Sequence, residues 1–241
     1  MRKILLVNDD GYNAEGIKKI KEEIKDYGEI YVVAPKNHMS AKGTSITISN
    51  FKMQFEKIDE HNYAVNGTPA DCVSFAFDNI NVKFDLVISG CNYGLNHSIF
   101  SIWSGTIGAC IQAGVLGIPS IAFSCSMQHM EHIHLYTKKT LDYILSHNIV
   151  SKDHIISVNF PYTEKALGIR FTDMSFNDRN LVFLNDGLIY ENYDMDIDFK
   201  DKSSDLYCLS HGYISITPLS LTIFDKEIYK SIKPKCEDVN F

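Results

Sequence analysis

Apolar residues follow two alternating rhythms along the chain. Lys3–Val7 (KILLV) is a short continuous apolar run that ends in Asn8-Asp9-Asp10-Gly11. Such a run predicts a strand buried on both faces, followed by a turn. Residues 14–27 place Ile17, Ile20 and Ile24 on one helical face with Lys and Glu opposite, and Gly28 stops the pattern. Ile30–Ala34 predicts a second buried strand, closed by Pro35. Strand, helix and strand in this order imply a right-handed parallel unit.

The alternation continues. Residues 35–50 read as a long polar loop and then a short strand, with Phe51, Met53 and Phe55 alternating with Lys52, Gln54 and Glu56 as in a half-exposed strand. Thr68-Pro69 opens a helix through about Asn79, with Thr68 as its cap. Then come a strand at Phe84–Ser89, a loop over 90–103, a helix at Ser104–Leu116, a strand at Ser120–Ser124, a helix over 131–147 and a strand at Ile155–Asn159. Residues 1–165 are therefore expected to form an α/β, Rossmann-like core with a doubly wound, mainly parallel sheet. After Pro161 the pattern changes. Segments 168–176, 180–184 and 187–193 read as short strands, and 194–205 as an exposed acidic loop. Tyr213–Thr217 reads as a strand and Leu221–Ile232 as a helix. Residues 166–205 thus form an extension, and 206–241 a closing strand and helix.

Composition narrows the function classes. The 241 residues are 45% hydrophobic and 22% charged, which suits a globular core and excludes disorder or a coiled coil. The net charge of −7 argues against a nucleic acid polymer as partner. Arginine occurs only at positions 2, 170 and 179, so an arginine-built phosphate site is not expected. The six cysteines include no CxxC pair, and Met1 leads directly into a strand-like run. Buried neutral thiols, no signal peptide and a cytoplasmic location are the expectation. Residues 86–130 contain no Asp, Glu, Lys or Arg, yet polar residues break the stretch every few positions, so no membrane span is expected.

Ligands of an open parallel sheet sit beyond the carboxyl ends of its strands. Three polar loops fall there: Asn8–Gly11, Pro35–Gly43 with Ser40, and Ser89–Asn96. Two carboxylates about 4 Å apart repel by roughly 1 kcal/mol in water and by more near an apolar interior. A divalent cation removes that cost, and a turn at Gly11 lets Asp9 and Asp10 aim at one ion; alternatively one of them caps the following helix. Asn92 and Asn96 lie among Gly90 and Gly94, which is either a ligand loop or an ordinary glycine-rich turn. Ser104-Gly105-Thr106 opens a helix and suits phosphate, or a plain Ser cap. A set made of Asp9, Asp10, Ser40 and Asn92 is all oxygen, which favours Mg²⁺ or Mn²⁺ over Zn²⁺. His129, His132 and His134 cluster without an HExxH pattern and read as a solvated helix start. No dinucleotide fingerprint, P-loop or GxSxG elbow is present. Trp103, Phe51, Phe55, Phe75 and Phe77 read as core.

Together the stretches NDDGYNAEGI (8–17), VVAPKNHMSAKGTSIT (32–47), NGTPADCV (66–73), DLVISGCNYGLN (85–96), WSGTIGACIQAGVLGIPSIAFS (103–124), VNFP (158–161) and GYISITPL (212–219) resemble the SurE family of metal-dependent 5′-nucleotidases. The resemblance implies a Rossmann-like domain with a C-terminal β-arm used to form a homodimer or homotetramer. It implies phosphate release from nucleoside 5′-monophosphates with broad specificity; a polyphosphate or 3′-nucleotide phosphatase on the same site is an alternative expectation. The family's metal ligands fall on Asp9, Asp10, Ser40 and Asn92. Its phosphate-contacting positions fall on Asn96, Ser104, Gly105 and Thr106, with Asp9 and Asp10 as the catalytic carboxylates. Four positions depart from the family: Glu15 stands where Pro is usual, Ala41 where Gly is usual, and Gln112-Ala113 where Glu-Gly is usual. These departures motivate a second expectation, a nucleotide-binding sensor with weakened catalysis.

Overall fold

The computed structural model describes residues 1–48, 52–175, 181–183, 189–191, 201–223 and 226–235, with 181–183 and 189–191 described by backbone alone. The chain builds β1 (Lys3–Val7), α1 (Glu15–Ile24), β2 (Glu29–Pro35), β3 (Phe55–Lys57), β4 (Asn62–Val65), α2 (Pro69–Asn79) and β5 (Leu86–Tyr93). There follow α3 (Phe100–Trp103), α4 (Gly105–Val115), β6 (Ser120–Cys125), α5 (His132–Ser146) and β7 (His154–Asn159). The remainder supplies β8 (Gly168–Phe171), β9 (Leu181–Phe183), β10 (Ile189–Glu191), α6 (Asp205–Ser210), β11 (Tyr213–Ser220) and α7 (Lys226–Ile232).

The main sheet has the order β3-β4-β2-β1-β5-β6-β7-β11-β8. Strands β4, β2, β1, β5, β6 and β7 are mutually parallel. β3 and β11 run antiparallel to their neighbours β4 and β7, and β9 and β10 form a separate antiparallel pair. The continuous apolar runs are explained by burial on both faces. In β1, Ile4 and Leu6 pack with Ile17, Ile20 and Ile24 of α1 and Ile133, Leu141 and Ile144 of α5. Leu5 and Val7 face the other way, against Val73, Phe75 and Ala76 of α2 and Ala109 and Ala113 of α4. The doubly wound α/β architecture is the expected one.

Several local expectations are corrected. β5 does not stop at Ser89: after a register shift, Asn92 and Tyr93 pair with Ser124 and Cys125 of β6. Residues 100–103, expected as loop, form the single turn α3. The strand expected from Phe51 begins only at Phe55, because its partner β4 is four residues long and pairs from Val65 to Tyr63; Phe51 itself lies outside the described residues. β4 escaped notice because NYAV is too short to show a period. Phe75 is buried as expected, but Phe55, Phe77 and Trp103 are exposed. The acidic end of 194–205 is not solvated at its last residue. Asp205 is buried and accepts hydrogen bonds from the Ser98 N–H (2.8 Å), the Ser175 N–H (3.0 Å) and hydroxyl (2.7 Å), and the Leu206 N–H (2.7 Å). Four donors offset the loss of water around that charge. The closing helix starts at Lys226 rather than Leu221, whose side chain packs near Gly114 of α4.

α2 shows how local sequence positions distant loops. Thr68 and Asp71 form a reciprocal capping box, as S/T-x-x-D/E at a helix start predicts. Asp71 is buried and also accepts from the Thr47 N–H (2.8 Å) and hydroxyl (2.7 Å), which ties the loop after β2 to this helix. Asp71→Ala removes the cap and both loop bonds, and is expected to lower stability by about 2–4 kcal/mol in urea unfolding. A loss below about 1 kcal/mol would show that Asp71 is not the tie.

Candidate active site

The site forms where β1 and β5 end side by side. Asn8, fully buried, closes the turn after β1: its Nδ2 donates to the Gly11 carbonyl at 2.9 Å and its Oδ1 accepts from the Gly11 N–H at 3.3 Å. The turn sends the two carboxylates toward different neighbours. Asp9 reaches α4, where its Oδ1 accepts from the Thr106 hydroxyl at 2.7 Å. A Cβ on Gly105 would stand 2.8 Å from the Asp9 Cβ and 2.9 Å from its Oδ2, so the bare glycine backbone is what admits the carboxylate to the helix start. Asp9 is only 2% exposed, and burial pushes its carboxyl from the ordinary 3.8 up to about 6. The Thr106 hydroxyl opposes that rise, and the charge of Asp10 adds to it.

Asp10 turns to β5. Its Oδ2 accepts from the Tyr93 N–H at 3.0 Å, and its Oδ1 lies 3.6 Å from His38 Nδ1. Burial pushes its carboxyl up as well, opposed by the Tyr93 N–H and by His38. The neighbour of Tyr93, Asn92, is buried and points its amide nitrogen at the Gly94 carbonyl, 2.7 Å away. Its Oδ1 is buried with no hydrogen-bond partner. Each carboxylate thus has one hydrogen-bond donor, and the Asn92 oxygen, on the residue before Tyr93, has none; buried oxygens so under-supplied with donors suit a hard cation.

The Ser40 loop is clamped to both sides of this cluster. The Met39 N–H donates to the Asp9 carbonyl at 2.7 Å, and the Gly43 N–H to the Trp103 carbonyl at 2.9 Å. A Cβ on Gly108 of α4 would overlap the Gly43 carbonyl oxygen, so α4 takes the loop flush against its backbone. Ser40 itself is exposed.

The remaining candidates divide. Thr106 and Gly105 join Asp9. The Ser104 hydroxyl accepts from the Ile107 N–H at 3.2 Å and so caps its own helix. Asn96 lies toward β6 and β7: its N–H donates to Asn159 Oδ1 at 2.7 Å and its Nδ2 to the Ser124 hydroxyl at 2.9 Å, while Asn159 Nδ2 returns a bond to the Asn96 carbonyl at 3.1 Å. Asn8 and Asn159 were missed as site residues. Both are polar side chains at the ends of strands buried on both faces, and that position was the available signal. His132 is corrected: it is fully buried rather than solvated.

The pattern of polar loops at the strand ends has a counterpart in other proteins. Residues 4–180 match the family model described as "Survival protein SurE". The chain belongs to the SurE family. It is 32% identical to the 5′-nucleotidase SurE of Clostridium beijerinckii over 95% of this chain and 97% of that protein. It is 34% identical to the 5′-nucleotidase SurE of Wolbachia pipientis over 98% of this chain and 94% of that one. The crystal structure of the SurE protein from Aquifex aeolicus superposes with a TM-score of 0.82 at 32% identity, covering 97% of this chain and 99% of that one.

The departures from the SurE pattern have distinct consequences here. Gln112 does not face the site: its Nε2 donates to the Ser74 hydroxyl at 2.9 Å, across the contact between α4 and α2. Glu15 opens α1 and pairs with Lys19 at 2.5 Å. Ala41 has a φ of +57°, in the left-handed region where a Cβ is unfavourable.

Two predictions follow from this geometry. Ala41→Gly relieves the left-handed strain and is expected to stabilise the protein by about 1 kcal/mol, raising Tm by about 2–4 °C; a fall in Tm would mean the alanine is not strained. In metal-free protein Asp9 has a folded-state pKa (about 6) above its ordinary 3.8, so the ionised carboxylate detracts from stability. That penalty is absent below the ordinary value, grows as pH rises through this window, and is complete above about 6, where it reaches about 3 kcal/mol. Asp9→Asn in EDTA-treated protein should therefore raise Tm near neutral pH, with the gain shrinking as pH falls. A variant no more stable than wild type at neutral pH would contradict it.

Proposed function

We propose that this chain is a divalent-metal-dependent phosphomonoesterase that releases phosphate from nucleoside 5′-monophosphates. The observation that carries the proposal is the group of buried oxygens at the ends of β1 and β5: two carboxylates raised by burial, each with a single hydrogen-bond donor, and the unpartnered Asn92 Oδ1 on the residue before Tyr93, whose N–H binds Asp10. The SurE relatives named as 5′-nucleotidases support the substrate class.

Asp9, Asp10, Ser40 and Asn92 would hold the cation, and their all-oxygen chemistry suits Mg²⁺ or Mn²⁺. A bound divalent ion there supplies charge neutralisation for the phosphoryl group and lowers the pKa of a water. The chain's own groups do the rest. Thr106 fixes the Asp9 carboxylate in one orientation through its hydroxyl. The start of α4, with Ser104, Gly105 and Thr106, presents helix N–H groups and a positive dipole end to phosphoryl oxygens. Asn96 keeps one amide hydrogen beyond its bond to Ser124 and offers it to the same oxygens. Among the described residues the scheme uses no arginine, and Arg170 stacks 4.1 Å over the Tyr213 ring. The phosphate dianion therefore depends on a cation and the helix terminus for its balancing charge.

We also propose that the protein acts as a homodimer or homotetramer through its C-terminal part. Ile223 and the α7 residues Ile228, Tyr229 and Ile232 are exposed there. Among the described residues no helix is long and apolar enough to cross a membrane. Cys72, Cys91, Cys110, Cys125 and Cys208 are free and buried, as suits a reducing cytoplasm; Cys236 lies outside the described residues.

Phosphate release from a panel of nucleoside 5′- and 3′-monophosphates and polyphosphate, with Mg²⁺, Mn²⁺ or EDTA, is the test. Release is expected with metal and to be abolished by EDTA, and Asp9→Asn should cut kcat by about 10³-fold or more while the protein stays folded. Nucleotide binding without release under any metal would replace the phosphatase by the nucleotide sensor.

A further inference from the structure

Away from the Asp and Asn cluster, a second group of side chains has no role in phosphate release. His129 ends a 3-10 turn (Met127–His129) just after β6, Glu131 precedes α5, and His132 is the first residue of α5. One ligand atom from each of the three lies within 4.8 Å of the others.

His132 is the informative member. It is fully buried, and its Nε2 lies 3.0 Å from the Glu164 carbonyl oxygen. A carbonyl only accepts, so Nε2 is the donor and Nδ1 is the ring nitrogen left to accept or to ligate. That Nδ1 is buried with no hydrogen-bond partner. An imidazole that donates one nitrogen to a backbone carbonyl and keeps the other bare is oriented as metal-bound histidines are. His129 stacks on it with ring centroids 5.1 Å apart, and His129 Nδ1 lies 3.2 Å from Glu131 Oε1. The Cys125 thiol donates to the His129 carbonyl at 3.0 Å, and the Tyr136 ring packs edge-on against His132 at 5.1 Å. The cluster is thus held from both sides. A simple ion pair accounts for His129 and Glu131 but leaves the His132 Nδ1 bare.

We propose that His129, Glu131 and His132 form a second metal site, for a borderline transition cation of the Zn²⁺ type. Two imidazoles and one carboxylate select such an ion over Mg²⁺, whereas the oxygen-only cluster at β1 and β5 prefers the hard ion. Bringing the three ligand atoms onto one ion requires rotations of Glu131 and of His129, which leaves its stack on His132 because a bound ion lies in the plane of each imidazole. Glu131, with its side chain 53% exposed, can make them, and its exposure leaves the fourth position to water. The bound ion would staple the turn after β6 to the start of α5. Its role is structural: it would hold the turn that follows β6, whose end pairs with β5 at Tyr93 and Cys125.

The test uses full-length protein stripped with EDTA and returned to excess Mg²⁺. Zn²⁺ is titrated against a chromophoric chelator and by thermal melting, with Co²⁺ as a spectroscopic probe. One ion per chain, a saturating rise in Tm and visible Co²⁺ absorption are expected, and all should persist in Asp10→Asn. His129→Gln and Glu131→Gln, both at partly exposed side chains, should each weaken Zn²⁺ binding by about 10-fold or more and lose the Co²⁺ spectrum. Unchanged Zn²⁺ affinity in both variants, or loss of binding in Asp10→Asn instead, would overturn the second site, as would no binding at all in wild type. His132→Gln is secondary, because its buried position makes misfolding an alternative cause of loss.

Discussion

The constraint on which the site depends is the burial of one carboxylate at a helix start. Asp9 is carried to the end of a strand covered on both faces, where water does not reach it. Its charge is offset by the Thr106 hydroxyl and the amino end of α4, and only a glycine at 105 lets it come that close. That partial compensation leaves the carboxyl raised to about 6 and the local structure short of positive charge.

The rest of the carboxyl edge is arranged around that charge by backbone contacts rather than by salt bridges. The Met39 and Tyr93 N–H groups bring the Ser40 loop and β5 to Asp9 and Asp10, respectively. Gly108 and Gly43 let the loop lie against α4, and Asp71 anchors its far end through Thr47. The stretch without charged residues, 86–130, runs through the buried strands β5 and β6 and the helix α4 whose start receives Asp9. Chemistry also separates the two clusters at this edge of the sheet. One offers oxygen alone, the other two imidazoles and a carboxylate, so each suits a different class of ion.

The doubly wound core was legible in the sequence because its strands are buried on both faces. KILLV and the α1 stripe Ile17-Ile20-Ile24 have no other stable placement than a covered parallel sheet. The Asp9-Asp10 pair, Asn92 and the helix opening at Ser104 were legible for a related reason: polar groups at the ends of buried strands stand out against apolar surroundings. Short or compensated elements were not. β4 is four residues with no period, α3 is a single turn, and Asp205 reads as a solvated acid until the three donors from Ser98 and Ser175 are seen around it.

The sequence by itself determined the layer order, the strand ends that carry the chemistry, and the membership in the SurE family. Only the tertiary structure decided what each polar group faces. It turned Gln112 toward Ser74, made Ser104 the cap of its own helix, and brought Asn159 to Asn96 across 63 positions of sequence. It also buried His132 with a bare nitrogen, where the local pattern read as an exposed helix start. The physical reason is one of range. Periodicity and capping act within a few residues, whereas desolvation and hydrogen-bond partnership depend on whichever segments the fold packs around a group.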